Sequence, residues 1–577
     1  MTYFKPMNPI HLIKPIFGLL LLSSFGCSAQ VAQKPIPRVD LMPDNPQPFG
    51  IIDYKKLALD FDKTAYDFHA KGEFWPIVWV DKSRKNFDQD VVGLYTAIGD
   101  VRQGGQNNKG MFHEALATMG ATLGATLVGI DKSNSDGRNY VGMLKNYFNR
   151  ETGWNIMMNN TAPEVALLGG GYGRDWWYDV YPNVLFYAIY DKYPNEPGFT
   201  EMARTIADKF HDADVILNGN YNYSYFDYGK MKPMTNNICA QPDAAAGHAW
   251  LLYMAYKKFG DTKYLKGAKS ALSALQSQKE NPTYELLMPF GAYLAARINA
   301  EEKQTYDLDK MLAWTFDGTP KCREGWGVLV GNWNGYDISG TVGSTVDRGG
   351  YGFLMNTYDA AWPLVPMVRY DQRYASAIGK WMLNAANASK LFYPDHMADE
   401  HESIPEKAAA GKGVIAYEGI IRSSNMPQYE HVKAPVAQGD GPLWVAGKNP
   451  PESQLSVYGS GHVGIFGSIV RKTDVADVLQ LDLLATDFFR DKAYPTSLLY
   501  NPAASEKTVS VSVGKKVDLY DTVSGKFIAR NVSGSAKVKI ASRNSVVIVE
   551  VPENGRITYS DKRMLVDGVI VDYRSNR

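Results

Sequence analysis

Acidic or imidazole side chains stand where helical patterns begin at Glu114, Asp175, Asp243, Glu285, Asp347 and His462. Gathered at one mouth, such groups move protons. A carboxyl kept protonated by burial donates to a leaving oxygen, while an ionised one attacks or activates water. The stretch 169–182, Gly-Gly-Gly-Tyr-Gly-Arg-Asp-Trp-Trp-Tyr-Asp-Val-Tyr-Pro, carries the clearest instance. Its glycines let the backbone turn tightly or approach a ligand. Asp175 then falls near the first turn of a helical run, where orphan N–H groups and the dipole favour an anion. Trp176 and Trp177 add wide, flat faces of the kind that stack on sugar rings. The same residues also read as a capping aspartate followed by two core tryptophans.

Asp175 and Glu285 are the preferred proton-transfer pair, because aromatic residues bracket both (Trp176, Tyr284). Asp337, in Asn-Trp-Asn-Gly-Tyr-Asp, is a third catalytic candidate. Substrate contacts are expected from Trp176, Trp177, Tyr284, Trp326, Trp333, Asn237, Asp347, Arg348 and His248. Arg348 is either a salt-bridge partner of Asp347 or a clamp for a substrate carboxylate. His248 sits in an apolar helix and also reads as a satisfied core histidine. No cofactor and no metal are expected. The acidic and histidine residues at 395–402 are read as a solvated loop in preference to a metal site.

These groups need a scaffold, and the 577-residue chain is long enough for a large domain plus a small one. Formal charge is balanced, with 61 basic and 61 acidic side chains, which removes the electrostatic footprint of a nucleic-acid binder. The N-terminus carries Lys5, His11 and Lys14, an apolar run at 16–22 and small residues before Cys27. That order reads as a bacterial lipoprotein signal (1–27) with Cys27 lipidated, too short for a membrane span. The expectation is an exported protein, periplasmic or surface-anchored, touching the membrane only through its lipid. Residues 28–49 read as a flexible tether. Cys239 and Cys322 are free to pair in such a compartment.

From 50 to 493 the pattern is helical, and small-residue apolar helices alternate with amphipathic ones six times. The last amphipathic member is expected at 475–487, and the helix at 351–369 is expected to open on Asp347-Arg348-Gly349-Gly350. Apolar helices buried on all sides and partners with one wet face describe an (α/α)6 toroid of helical hairpins. Long loops between them are expected to rim a binding site. From 494 to 577 the period changes to alternating strands, as in Thr-Val-Ser-Val-Ser-Val from Thr508, implying a small antiparallel β-sandwich.

Over 50–490 the chain resembles, in architecture, the six-hairpin glycosidase superfamily. The run Arg174-Asp175-Trp176-Trp177 is similar to helix starts in its unsaturated glucuronyl hydrolases. The resemblance implies a glycoside hydrolase acting on an oligo- or polysaccharide through carboxylate acid/base chemistry. Toroid polysaccharide lyases resemble the same layout and imply β-elimination, with Asn236, Asn237, His248, Tyr284 and Arg348 as candidate groups. A non-catalytic glycan-binding lipoprotein is a third alternative. All three require the inner helices to start on one side.

Overall fold

The computed structural model describes residues 31–72, 75–95, 113–161, 175–406, 411, 413–425, 427–438 and 455–575. Cys27 and the glycines of 169–173 lie outside them. Among the described residues eleven helices carry the fold: Tyr54–Ala65 (α1), Ala115–Leu127 (α2), Trp177–Lys192 (α3), Phe199–Leu217 (α4), Ala244–Phe259 (α5), Thr262–Gln276 (α6), Met288–Glu301 (α7), Leu308–Phe316 (α8), Leu354–Tyr370 (α9), Ala375–Ser389 (α10) and Val457–Ile469 (α11).

Packing sorts them into two rings. Helices α2, α3, α5, α7, α9 and α11 touch in that order, and α11 returns to α2, so the inner ring closes. Nearly every residue of these helices is buried, which explains their lack of a polar face. Outside them, α1, α4, α6, α8 and α10 each cover inner neighbours. Between α2 and α3 the outer position is filled by the short turns Tyr140–Met143 and Leu144–Tyr147. The contact of α2 with α11 shows why small residues repeat there. A Cβ on Gly464 would stand 2.2 Å from the carbonyl oxygen of Gly124, and one on Gly120 would stand 2.0 Å from His462 Nε2.

The ring closes differently from the sequence expectation. Residues 475–487 are not the sixth outer helix, because Leu479–Asp482 is a strand. The covering helix is α1, which packs on α11 and α2. Its repeat (Leu57, Phe61, Ala65) is the amphipathic pattern of an outer member. The residues before it are not a loose tether. Val31 N donates to Val523 O at 2.8 Å, Lys34 N to Arg373 O at 2.7 Å and Arg38 Nε to Val328 O at 2.8 Å. Lys390 Nζ is held by Gly50 O at 3.2 Å and Asn387 Oδ1 at 2.9 Å. Residues 31–50 thus form a strap along the toroid and the β domain.

On the rim, Trp326–Val328 (β1), Val342–Ser344 (β2), Tyr351–Phe353 (β3), Gly419–Ile421 (β4) and Val436–Gln438 (β5) form one antiparallel sheet in the order β5-β4-β3-β2-β1. The stretches expected as irregular rim loops therefore contribute an ordered wall. The C-terminal domain starts at the strand Val470–Lys472, ahead of the expected boundary. That strand opens a six-stranded sheet, against which Lys507–Ser512 and Ser535–Ile540 pack through Val509, Val511, Val538 and Ile540. Among the described residues no helix is long and apolar enough to cross a membrane.

Candidate active site

The starts of the inner helices meet one another. Tyr458, at the start of α11, donates its hydroxyl to Glu114 Oε2, just ahead of α2. Gln241, before α5, accepts the Trp176 N–H on Oε1 at 2.8 Å and donates Nε2 to Asp175 Oδ1 at 2.7 Å. Asp243 Oδ2 accepts the backbone N–H of Tyr284, ahead of α7, at 2.9 Å. Trp326 donates Nε1 to the Glu285 carbonyl at 3.0 Å and packs against Phe353, which precedes α9. Leu354 N donates to Glu418 O at 3.2 Å, and Ala416 N donates to Ser460 Oγ of α11 at 2.8 Å, completing the circuit. All six inner helices therefore open at one end, and their positive dipole ends converge there.

The acids at this end do not act as ordinary caps. Three outer helices, α1, α6 and α8, are capped by side chains: Asp53 accepts from Lys56 N, Asp261 from Lys263 N and Asp307 from Lys310 N. Glu114 and Asp243 hold the N-cap positions of α2 and α5 but make no capping bond. Asp175 and Glu285 lie ahead of the caps of α3 and α7, which are Trp176 and Leu287. Glu114 and Asp175 face side chains of neighbouring helix starts instead, Asp243 a backbone N–H and Glu285 the loop residue Arg323.

Asp175 and Glu285 occupy the same corner in different surroundings. Burial pushes the Asp175 carboxyl above the ordinary carboxylate range, and hydrogen bonds from Tyr284 and Gln241 and the charge of Arg323 only partly offset it. Glu285, 5% exposed, accepts from Arg323 Nε at 3.0 Å, and Arg323 Nη2 reaches the same oxygen. The guanidinium also lies 4.6 Å from the Trp326 ring centroid, which fixes its plane. Beneath them Asp243 is 2% exposed, and burial, with the nearby Glu285 charge adding, pushes it up to about 7. Tyr178, on the first turn of α3, lies within the fields of Glu114, Glu285 and Asp175, and burial keeps its hydroxyl protonated. Cys239 and Cys322 are disulfide-bonded with Cα atoms 5.8 Å apart. The bond joins the loop that carries Gln241 to the loop that carries Arg323.

Other expected residues lie elsewhere or act differently. Trp176 is fully buried, stacks on Tyr221 and donates to the Tyr228 hydroxyl at 3.3 Å, so its ring is core and offers no sugar platform. Trp326 is equally buried and supports Arg323 and Glu285 from behind. Trp333 packs under Gly350 in the hairpin Asn332–Trp333/Tyr336–Asp337. Asp337 turns its carboxylate onto Ser339 N at 3.1 Å, and its N–H donates to Gln47 O of the strap; neither bond reaches the Asp175 corner. His248 is sealed between Tyr228 (2.6 Å) and Tyr221 (3.4 Å), and burial lowers it to about 3, so it is a neutral core histidine.

Asn237 is exposed on the loop before α5, and Asp347 is exposed in the turn Asp347–Gly349. Strand β3 separates that turn from α9, so Asp347 does not open the helix, and Arg348 lies within the turn. His462 falls in the second turn of α11, where its Nδ1 pairs with Asp359 Oδ1 at 2.7 Å and its Nε2 donates to Leu116 O at 2.9 Å. In the 395–402 segment, His401 binds Pro435 O, Glu400 binds Lys433 and Glu402 binds Tyr417. Among the described residues no group of metal-ligating side chains converges.

Gln241, Arg323, Tyr178 and Tyr458 belong to the site but were not singled out from the sequence. For Gln241 and Arg323 the available signal was proximity to a cysteine: each stands within two residues of a half-cystine.

No family model matches the chain, and no curated protein matches it significantly. Among solved structures it is similar to a family 127 β-L-arabinofuranosidase from Geobacillus stearothermophilus T6, at 10% identity over 91% of this chain and 86% of that one, with a TM-score of 0.31. It is also similar to a family 76 glycoside hydrolase from a bovine Bacteroides thetaiotaomicron strain, at 9% identity over 72% and 77%, with a TM-score of 0.34. At these identities and scores the likeness carries no argument, and the toroid stands on its own closed ring of helices.

Proposed function

We propose that this protein is a glycoside hydrolase, with Asp175 as general acid and Glu285 as base or nucleophile. One observation carries the reading: two carboxyls share a corner of the mouth, one lifted by burial and held by Tyr284 and Gln241, the other paired directly with a guanidinium. Environments that separate two carboxyls in this way assign acid and base roles in glycosidic cleavage. Asp175, held by Gln241 and Tyr284, donates its proton to the leaving oxygen. Glu285, paired with the Arg323 guanidinium, attacks the anomeric carbon or takes a proton from water. Asp243 acts as a positioning residue through the Tyr284 N–H.

The lyase alternative needs a tyrosine or histidine that readily gives up or takes a proton. Burial raises the hydroxyls of Tyr284 and Tyr178, and His248 is enclosed, which favours hydrolysis. The reading extends to an exported lipoprotein anchored through Cys27, tested by the mass of the mature N-terminal peptide. A polysaccharide panel, read for both new reducing ends and ultraviolet absorbance, tests the chemistry. Reducing ends without absorbance support it, and an absorbing unsaturated product overturns it.

A further inference from the structure

The N-terminal strap enters the fold at the end opposite the mouth. Val31 N donates to Val523 O, Lys34 N to Arg373 O, and Gln33 is held from two sides. Its Nε2 donates to Gln372 O at 3.0 Å, and its Oε1 accepts the Ser376 N–H at 3.0 Å. Gln372 and Arg373 follow helix α9, which opens at the mouth and runs 17 residues, about 25 Å, before ending at Tyr370. Val523 sits against this same end, since Gln372 Nε2 also reaches Thr522 O at 3.4 Å. Between Cys27 and Val31 stand only residues 28–30, and four Cα steps reach at most about 14 Å. A group carried on Cys27 therefore stays on the far half of the toroid and cannot reach the level of the mouth. The strap has no slack to add, because its later residues are bonded up to the rim through Arg38 and Gln47.

The surface beside Val31 has a composition that suits this position. Val523 lies in the turn between the strands Val517–Asp521 and Lys526–Val532, and Ile528 of the second strand is 39% exposed. Next to it lies the three-stranded sheet of Ile557–Ser560, Arg563–Val566 and Val569–Asp572. That sheet is fixed to the closed end of the ring: Asp572 Oδ1 accepts Gln372 Nε2 at 3.1 Å, and Arg563 Nη2 donates to Glu301 O, at the end of α7, at 3.0 Å. Its edge strand leaves Ile557 36% and Tyr559 43% exposed, and residues two apart share a face. Lys526, Arg556 and Lys562 are exposed alongside them. Aliphatic and tyrosine side chains framed by cations match a bilayer surface, where the tyrosine ring sits at headgroup level and the cations meet anionic lipid.

We propose that the β-domain face bearing Ile528, Ile557 and Tyr559 rests on the bilayer to which Cys27 is tied, so that the mouth opens away from the membrane. A patch of three side chains is small, but a tether this short holds it at the surface at high effective concentration. The proposal rests on the reading of Cys27 as the lipidated residue for its tether. The mouth is thereby presented to glycans arriving from the side remote from the bilayer.

The test places the full mature chain on vesicles of phosphatidylcholine and phosphatidylglycerol that contain a lipid with a photoreactive headgroup. It is run on the native protein and on protein coupled through the Cys27 thiol to a maleimide lipid, with Cys239–Cys322 intact. Crosslinked peptides are read by mass spectrometry. Crosslinks at 526–528 and 556–562 are expected to exceed those at the rim turn Asp347–Gly349 at least tenfold. Ile557→Ser combined with Tyr559→Ser should lower them severalfold while flotation with the vesicles is unchanged; both side chains are exposed, so the fold is kept. Adding to that variant about twenty Gly/Ser residues after Gln30, with a span of about 25 Å, should erase the difference between the two ends. Crosslinks that favour the rim turn, fall equally on both ends, or are unchanged in the double variant overturn the proposal. A dimer that the double variant breaks, seen by light scattering, gives the face to a second copy and overturns it too. Should the native protein carry no lipid and fail to float while the coupled form crosslinks as expected, the lipoprotein reading falls and the membrane-facing surface stands. Should the native protein be lipidated but crosslink at the rim, the surface falls and the lipoprotein reading stands.

Discussion

Gln241 holds Asp175 and the start of helix α3 with a single amide. Its Nε2 reaches Asp175 Oδ1 at 2.7 Å while its Oε1 takes the Trp176 N–H at 2.8 Å. The amide is committed in both directions, so Asp175 is fixed against the backbone that follows it. Gln241→Ala should lower kcat about ten- to a hundredfold, as loss of orientation does, with little change in melting temperature. Steady-state kinetics and a thermal melt check both parts. A variant with unchanged kcat would remove Gln241 from the site.

Replacing either carboxyl should abolish most turnover. Asp175→Asn and Glu285→Gln are each expected to cost roughly 10²–10⁴ in kcat. Each should stay folded, since neither acid caps its helix. A glycan with a good leaving group should rescue Asp175→Asn more than Glu285→Gln, because only the former loses protonation of the departing oxygen.

The pH dependence follows from the Asp175 surroundings. As the proton donor it works while protonated, so activity falls as pH rises through its raised value, giving the basic limb of the kcat profile. Arg323 holds that value down. Arg323→Met should therefore move the basic limb to higher pH, besides lowering kcat by removing the cation beside Glu285. A limb that moves to lower pH would contradict the assignment.

Asp243 gives a stability prediction of definite sign. Burial pushes it up to about 7, above its ordinary value of 3.8, so the folded protein binds more protons than the unfolded chain between those values. Its contribution is then fully present below about 4 and is lost as pH rises towards 7. Asp243→Asn, which keeps an acceptor for Tyr284 N–H, should flatten that decline, by at most on the order of 4 kcal/mol. Denaturant melts at pH 4 and pH 7 measure it.

Reduction of Cys239–Cys322 should loosen the two loops that carry Gln241 and Arg323 without opening the ring of helices. Activity is expected to fall severalfold on mild reduction while helical circular dichroism stays constant. Activity that survives full reduction, verified by thiol titration, would show that the loops hold their positions unaided.

The alternation of wholly apolar and amphipathic helices was legible in the sequence because burial on all sides and burial on one face leave different periodicities. Closure of the ring was less so. An N-terminal helix, α1, covers α11, and no local pattern says which distant helix a chain end will pack against. Asp175 and Glu285 stood out by their aromatic neighbours, but the neighbours misled about roles. Trp176 and Trp326 are flat and wide, yet their faces are spent on Tyr221 and Arg323. Gln241 and Arg323 reach the acids from loops 66 and 38 positions further along the chain, and such partners are set by tertiary geometry. The strap at 31–50 looked like a tether because its proline-rich composition matches one. Its order comes from backbone hydrogen bonds to residues hundreds of positions away.

The most direct test of the acid pair is product analysis on one cleavable glycan with wild-type, Asp175→Asn and Glu285→Gln proteins side by side. The account predicts new reducing ends without ultraviolet absorbance from the wild type, and almost none from either variant. Unsaturated product from the wild type, or undiminished reducing ends from both variants, would contradict it.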